Sequence, residues 1–399
     1  MPGRSGRRVA LSALAAVGFT VAAPILRRAA GERLSARAER RLCPVGDPGP
    51  YLVAPAAADL HERLTVVDLH ADSLLWGRNL LERADRGHLD VPRMVEGNAA
   101  LQVFAVTTKV PRHMTYDRND DRSDDIALVA LVQGWPRATW RSLLARALHQ
   151  AGRLERFATA SDGRFTVVRS VADLDAFLAR RAADRSIAAG LLSIEGAQAL
   201  DDDLANVERL DAAGFRMVGL AHFFDNAYAG SAHGLVQGGL TGAGRELVAE
   251  LERRRMLVDV AHASAAAIDD VLAIATRPVV ASHTGVRGVA DHPRNLTDEQ
   301  LRGIAATGGM VGIGFWPTAS GGDDAASIAR SIAHAVAVIG PDHVGLGSDF
   351  DGAVDVPFDV SGMAVLTAAL LANGLDEATI ASVMGGSAVR LLGAALPPG

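Results

Sequence analysis

A chain of 399 residues in which 49% are hydrophobic is long enough to bury one large core, and it requires no second domain. The net charge of -6, without a Lys/Arg-rich run beyond the N-terminus, argues against nucleic acid as a partner. The single cysteine, Cys43, excludes a disulfide within the chain and a cysteine-based zinc site, so any metal must be held by His and carboxylate side chains.

The first predicted element is an apolar run at residues 9–26. Arginines flank it on both sides: Arg4, Arg7 and Arg8 before it, and Arg27 and Arg28 after it. Positive charge followed by an apolar run is typical of an export signal or a membrane anchor, although this run is near the lower length limit of about 17 residues for a spanning helix. The alternative is a helix packed on the body, which the flanking arginines disfavour. We predict residues 1–45 to be an export signal or membrane anchor with a linker, and residues 46–399 to be the folded domain.

Eight apolar runs rich in β-branched residues follow, and they alternate with helical patterns. The alternation predicts βα units with a parallel sheet, and runs that are apolar throughout indicate strands covered on both faces. The predicted strands are residues 65–69, 101–107, 188–194, 215–221, 256–261, 278–282, 310–315 and 343–347. Eight is the strand number of a TIM-type (β/α)8 barrel, so we predict an α/β fold of that class.

Helical patterns fill the connections between these strands. They lie at residues 242–255, 265–276, 298–307 and 325–339, with closing helices at 360–373 and 377–392. Thr297 and Gln300 form a capping-box pair at the start of one of them. The long connection 108–187 contains helical patterns at 124–157 and 171–183, which predicts a helical insertion over the cleft.

Polar residues follow directly where the apolar runs end. Four are histidines and three are carboxylates: His70, Asp72, Glu195, His222, His262, His283 and Asp349. Taken singly, a histidine near a strand end is more often structural than a ligand. In a parallel barrel, however, the carboxyl ends of the strands point into one shared cleft. The joint pattern therefore predicts a metallohydrolase.

The spacing of these residues indicates how they share metal ions. His70 and Asp72 are alternate residues of an extended strand and point the same way. His262 and His283 end neighbouring strands. Glu195 is able to place one oxygen on each of two metals about 3.5–4 Å apart, and Lys109, the sole lysine, lies past the second strand, which leaves no carbamylated lysine as a bridge. Asp349 is either part of an Asp-Gly turn or the proton shuttle of a barrel hydrolase.

Several motifs in series resemble one known family. VDLHAD, GHLDVPRM, SIEGAQAL, LAHFFDN, LVDVAHAS, VVASHTG, HPRNLTDE and VGLGSDFDG are similar, in order, to motifs of the membrane dipeptidase (renal dipeptidase) family of zinc peptidases. The similarity covers about residues 66–392. That family belongs to the amidohydrolase superfamily, has a TIM-type barrel with two zinc ions, and cleaves dipeptides.

The resemblance implies a role for each residue. For the metals, it implies that His70 and Asp72 hold one Zn²⁺, that His262 and His283 hold the other, and that Glu195 and a hydroxide bridge the two. For the substrate, it implies that His222 contacts the tetrahedral intermediate, Arg294 binds the substrate carboxylate, and Asp349 moves the proton. It also suggests a homodimer.

Two departures from the family pattern affect the pocket wall. After Glu195-Gly196 the family usually has Gly-His, whereas this chain has Ala197-Gln198, and Phe223-Phe224 follows His222. The prediction is an exported or membrane-anchored, extracytoplasmic zinc dipeptidase. One alternative is a hydrolase of another amide or a lactone, such as a β-lactam or an N-acyl amino acid. The other is a non-catalytic exported barrel protein.

Overall fold

In a computed structural model of the protein, residues 31–399 are described. The predicted apolar segment 9–26 lies outside the described residues. The described part contains nine strands: β1 (Val66–Ala71), β2 (Ala99–Thr107), β3 (Phe165–Val167), β4 (Ala188–Glu195), β5 (Phe215–Gly219), β6 (Leu257–Asp259), β7 (Val279–Thr284), β8 (Met310–Ile313) and β9 (Val344–Leu346).

Eight of these strands close into a parallel barrel. The order around the barrel is β1, β2, β4, β5, β6, β7, β8 and β9, and β9 pairs again with β1. The predicted (β/α)8 barrel is therefore confirmed. The sequence prediction missed β3, which pairs with the first residues of β4 and shares that edge of β4 with β5.

Helices surround the barrel. They are α1 (31–42), α2 (Pro55–Arg63), α3 (Val91–Glu96), α4 (Asp125–Val132), α5 (Leu143–Ala160), α6 (Val171–Ala183), α7 (Asn206–Ala212), α8 (Gly242–Arg253), α9 (Ala265–Ile274), α10 (Asp298–Ala306), α11 (Pro317–Ser320), α12 (Ala325–Ile339), α13 (Met363–Ala372), α14 (Glu377–Ala381) and α15 (Ser387–Ala395). The predicted capping box is present, with Thr297 accepting from the Gln300 amide and Gln300 reaching back.

The helix predicted at 124–157 was wrong as a single element. It is two helices, α4 and α5, because the chain between them turns. Gly134 adopts a left-handed backbone with φ +69°, and Pro136 follows it. The break matters for function, since it lets α4 lie over the carboxyl end of the barrel as the predicted insertion.

The helix predicted at 377–392 is also interrupted. A π-helical turn, Ser382–Gly386, joins α14 to α15. At Gly385 an added Cβ would lie 2.0 Å from the carbonyl oxygen of Thr65, so only glycine allows this turn to pack against the start of β1. By length and composition Glu377–Ala395 is apolar enough to cross a membrane, but half of that stretch is buried inside the protein.

The apolar core closes one end of the barrel. One buried cluster joins the strand residues Leu69, Leu191 and Met310 to Leu391 and Leu392 of α15. Because the turn before α15 contacts the start of β1, this cluster fills the amino end. The carboxyl end is left to polar side chains.

Candidate metal centre

All seven predicted side chains lie at the carboxyl end of the barrel. His70 and His283 are the penultimate residues of β1 and β7, Glu195 ends β4, and the others follow within three residues of a strand: Asp72, His222, His262 and Asp349. All seven are buried. The closure of the barrel brings together residues that span 280 positions in sequence.

The Glu195 carboxylate is the centre of this group. Its Oε1 lies 3.5 Å from His70 Nε2, 3.2 Å from His262 Nε2 and 3.5 Å from His283 Nε2. Its Oε2 lies 3.3 Å from His222 Nε2. Four imidazole nitrogens from four strands thus face one carboxylate.

Asp72 and Asp349 complete the group on the side of His70. Their nearest carboxylate oxygens lie 3.5 Å and 3.9 Å from His70 Nε2. Across the site, His262 Nε2 and His283 Nε2 are only 2.9 Å apart. Three overlapping sets have ligand atoms within 4.8 Å of one another: His70, Glu195 and His283; Glu195, His222 and His262; and His70, Asp72 and Asp349.

These distances fit divalent cations. Zinc bonds of about 2.0–2.2 Å in a tetrahedral arrangement place two ligand atoms of one ion roughly 3.3 Å apart. The separations of 3.2 to 3.5 Å around Glu195 match that spacing. Within residues 31–399, the buried His70 Nε2 has no hydrogen-bond partner, although it points at these carboxylates. A buried orphan nitrogen of this kind is expected where an ion binds.

The protonation preferences also fit a cation site. Burial lowers the pKa of His262 and His283 well below the ordinary value, which leaves neutral imidazoles, the form that binds metal. Burial lowers the pKa of His70 as well, but the carboxylates of Asp72, Glu195 and Asp349 raise it to about 10. Three buried carboxyl groups are crowded around these rings, and the group retains protons on His70 and on carboxyl groups that a bound cation would replace.

The burial of Asp349 among these groups predicts how its contribution to the stability of the metal-free protein depends on pH. Burial raises the pKa of Asp349 well above its ordinary value. A carboxyl whose pKa is higher in the folded than in the unfolded chain stabilises the fold below the unfolded pKa, and that contribution is lost as pH rises through the folded pKa. We therefore expect Asp349 to contribute a fall in the free energy of unfolding of the metal-free protein as pH rises, so that the stability of the wild type relative to Asp349→Asn decreases with rising pH. Denaturant titrations of the chelator-treated wild type and Asp349→Asn variant between about pH 5 and 9 measure the two free energies of unfolding. A difference between them that does not change with pH would contradict the prediction.

Ser282 sets the tautomers of two of the histidines. Its hydroxyl donates to Asp259 Oδ2 at 2.6 Å. It therefore accepts from His283 Nδ1 at 2.9 Å and from His70 Nδ1 at 3.3 Å. With a proton on each Nδ1, the Nε2 atoms of the two rings are directed into the site and are the atoms that would bind a metal ion.

Arg294 lies beside the group with unfilled hydrogen-bonding capacity. It is 5% exposed, and its Nη2 donates to the carbonyl oxygen of His283 at 2.8 Å. Within residues 31–399 the guanidinium has no carboxylate partner within 4 Å. It lines a cavity of about 350 Å³ together with Asp72, Glu195, His222 and Asp349, and with Trp76, Val110, Tyr116, Ile126, Val129, Phe223 and Trp316. A free buried cation in a cavity is an anchor for an anionic group of a ligand.

Comparison with known proteins identifies the family. A sequence model of the family described as membrane dipeptidase (peptidase family M19) matches residues 55–396. The chain belongs to the membrane dipeptidase family. The resemblance seen in the sequence motifs is thus confirmed, and the protein is a metal-dependent hydrolase of peptide bonds.

Solved structures and curated relatives agree with the membrane dipeptidase family. A metallo peptidase from Rhodobacter sphaeroides, liganded with a phosphinate mimic of the dipeptide L-Ala-D-Ala, is 31% identical with a TM-score of 0.68, over 82% of this chain and 98% of that chain. The metallo peptidase dipeptidase AC is 31% identical with a TM-score of 0.67, over 84% and 99%. Dipeptidase verJ of Clonostachys rogersoniana is 35% identical over 211 residues, 51% of this chain and 54% of that protein.

Sequence reasoning missed several residues that support the centre of this family member. Thr107 Oγ1 lies 2.8 Å from both Asp72 Oδ1 and Glu195 Oε2. The only signal for it was its place at the end of a predicted strand, where its register beside Glu195 follows from the pairing of β2 with β4. His233, which the sequence pattern did not single out, is fully buried and stacks on Phe223, with ring centroids 4.8 Å apart.

Proposed function

We propose that the protein binds two Zn²⁺ ions and hydrolyses dipeptides. The observation that carries the proposal is the position of Glu195, with His70 and Asp72 on one side and His262 and His283 on the other. These five residues would hold the ions, with Glu195 shared between them. When bound, such a pair of ions lowers the pKa of a shared water to about 7 and polarises the peptide carbonyl.

The remaining side chains support the steps of hydrolysis. His222 Nε2 faces the centre, where it is placed to donate a hydrogen bond to the carbonyl oxygen as negative charge develops there. Asp349 is placed to accept the proton of the attacking water and to return it to the leaving amine. Its burial among Asp72 and Glu195 favours proton uptake, which suits a group that must carry a proton between two sites.

Arg294 is proposed to bind the C-terminal carboxylate of the substrate. Its planar guanidinium offers paired donors that match a carboxylate. It bonds to the carbonyl oxygen of His283, so it is fixed next to the proposed metal ligands. A carboxylate bound this close to the reacting carbonyl must belong to the residue that directly follows the cleaved peptide bond. This requirement restricts the substrates to dipeptides. The dipeptide mimic in the Rhodobacter sphaeroides relative supports the same substrate class.

Metal analysis with a substrate panel tests the proposed function. We expect two zinc ions per chain and hydrolysis of L-Ala-L-Ala, of L-Ala-D-Ala or of both, with C-amidated dipeptides as poor substrates. A protein that binds metal but cleaves no dipeptide would favour the second candidate, a hydrolase of another amide. The observation that favours this candidate is that Phe223 lines the cavity. β-Lactams and N-acyl amino acids are the substrates that test it. A protein that binds no metal would contradict both.

Replacing Arg294 by methionine is expected to raise KM for dipeptides by about 10- to 100-fold, because a hydrogen-bonded charge pair contributes roughly 1.5–3 kcal/mol. The kcat value should change less, since the metal ligands are intact. C-amidated dipeptides are the matched control. The wild type should prefer the carboxylate over the amide, and Arg294→Met should lose that preference. An unchanged preference would remove Arg294 from the substrate site.

Replacing Ser282 by alanine is expected to weaken zinc binding by about 10- to 100-fold, as is usual for residues that orient metal-bound histidines. Without the hydroxyl, neither His70 nor His283 is held with its proton on Nδ1. Competition with a chromogenic chelator measures the affinity. Ser331→Ala is the matched control, since Ser331 is equally buried and bonds to Ser320 on α11. Equal affinities in the two variants would refute this role.

We also propose that residues 9–26 export or anchor the protein, and that it acts outside the cytoplasm. The support is the apolar run between arginine clusters. Fractionation of cells expressing the full chain, with N-terminal sequencing of the product, tests both the location and cleavage. The homodimer suggested by the family resemblance stays a prediction, which light scattering of the purified protein would test.

A further inference from the structure

We propose that residues 31–47, named here the N-terminal clamp, hold the loop that carries Asp349 in its working conformation, with Glu39 as the positioning residue. The loop comprises residues 349–358 and is named the acid loop. The clamp precedes the residues 55–396 that match the family, so family membership does not assign it. The inference rests on the role proposed above for Asp349.

A chain of buried charges connects the clamp to the acid loop. Glu39, on α1, is fully buried, and its two oxygens accept from Arg78 Nε at 2.5 Å and from Arg86 Nε at 2.7 Å. Arg78 also donates to Asp351 of the acid loop. The fully buried Asp351 accepts in addition from Ser73 Oγ at 2.5 Å. Arg78 is therefore held between a clamp carboxylate and a carboxylate two residues from Asp349.

Backbone pairing forms a second, independent connection. The amide of Gly46 donates to the carbonyl oxygen of Val356 at 2.8 Å, and the amide of Asp47 donates to that of Pro357 at 2.9 Å. Val45 and Val356 form a parallel bridge. The clamp thus extends along the far end of the acid loop, while its Glu39 network reaches the near end.

The backbone of the acid loop explains why it needs such support. Asp349, Asp351 and Ala353 have φ values of +62°, +65° and +61°, in the left-handed region that residues with a Cβ rarely adopt. Such conformations persist only where the surroundings hold them. On the barrel side, the Asp72 amide donates to the carbonyl oxygen of Phe350 at 2.8 Å. Beyond Phe350 the loop is held by the hydrogen bonds of Asp351, by the clamp, and by the packing of Val354, Val356 and Phe358 in the apolar core.

The test is Glu39→Gln in the full-length, zinc-loaded protein. We expect kcat for a dipeptide to fall by about 10- to 100-fold, because misplacing a catalytic group by 1 Å costs about that much. KM should stay nearly unchanged, since Arg294 does not contact the clamp. Glu39→Asp, which keeps the charge, should recover part of kcat. Glu62→Gln on α2 is the matched control, since Glu62 is exposed.

Hydrogen exchange provides a readout that does not depend on activity. In metal-free protein we expect amides of residues 349–358 to exchange faster in Glu39→Gln than in the wild type or in Glu62→Gln. Gly46→Pro, which removes the amide bonded to Val356, should have the same effect with the charge network intact, and it decides the matter if Glu39→Gln does not fold. The proposal would be overturned if the folded variants had the same exchange rates for residues 349–358 and the same kcat as the wild type. A wild type that cleaves no dipeptide would instead refute the proposed function, and exchange would still test the clamp.

Discussion

Glu195→Gln is expected to lose at least one of two zinc ions and to lower kcat/KM by about 10³-fold or more. Glutamine keeps the shape of the side chain but replaces one carboxylate oxygen by an amide nitrogen, which cannot bind a cation. Glu195 faces all four imidazoles of the centre, so this change affects both proposed ions. A metal ion supplies several kcal/mol of transition-state stabilisation, and each 1.36 kcal/mol is a tenfold change in rate.

Metal content and kinetics measured on the same preparation check this result. Glu246→Gln is the control, because Glu246 is exposed on α8 and is not among the residues that line the cavity. A Glu195→Gln protein that retains two ions and activity within tenfold of the wild type would show that Glu195 is not the shared ligand.

Asp349→Asn is expected to lower kcat by about 10²- to 10⁴-fold, the range that positioned proton transfer contributes. Asparagine fills the same space and cannot accept and return a proton at neutral pH. Because Asp349 lies 3.9 Å from His70 Nε2, farther than Asp72, we expect zinc content and KM to change little. Stopped assays over long incubations, with metal analysis alongside, separate the loss of rate from loss of metal.

Asp355→Asn is the control for that variant. Asp355 lies on the same loop and is exposed, so its substitution tests the loop without changing the buried carboxylate. If Asp349→Asn kept kcat within tenfold of the wild type, the proton would have to be moved by another group. Loss of zinc together with kcat would instead assign Asp349 to metal binding.

The barrel was predictable because its strands are unusually clear in the sequence. Runs such as residues 188–194 are apolar except for Ser193, and a short run of this kind is typical of a parallel strand that is buried on both faces. The short β3 escaped because Phe165–Val167 is only three residues long and pairs outside the barrel. The break between α4 and α5 was missed although Gly134 and Pro136 mark it in the sequence.

The site was predictable to the extent that a parallel barrel places the carboxyl ends of all its strands around one cleft. A polar residue after an apolar strand points into the cleft whatever its neighbours in sequence, which is why Glu195 and His283 were found separately. Residues that support the site by bonding to the proposed metal ligands carry no such signal. Ser282 looks like any small residue in a strand, and only the folded structure shows that it lies between the Nδ1 atoms of His70 and His283. Glu39 likewise belongs to a segment that sequence reasoning treated as a linker.

The position of Thr107 has a consequence for how the enzyme acquires its metal. One hydroxyl hydrogen cannot serve both Asp72 and Glu195, which lie equally close to it. Since burial raises the pKa of Asp72, that carboxyl is the one to carry a proton when the ions are absent, donating to Thr107 while Thr107 donates to Glu195. Binding of a metal ion at this site would therefore release a proton, and lowering the pH would oppose that binding.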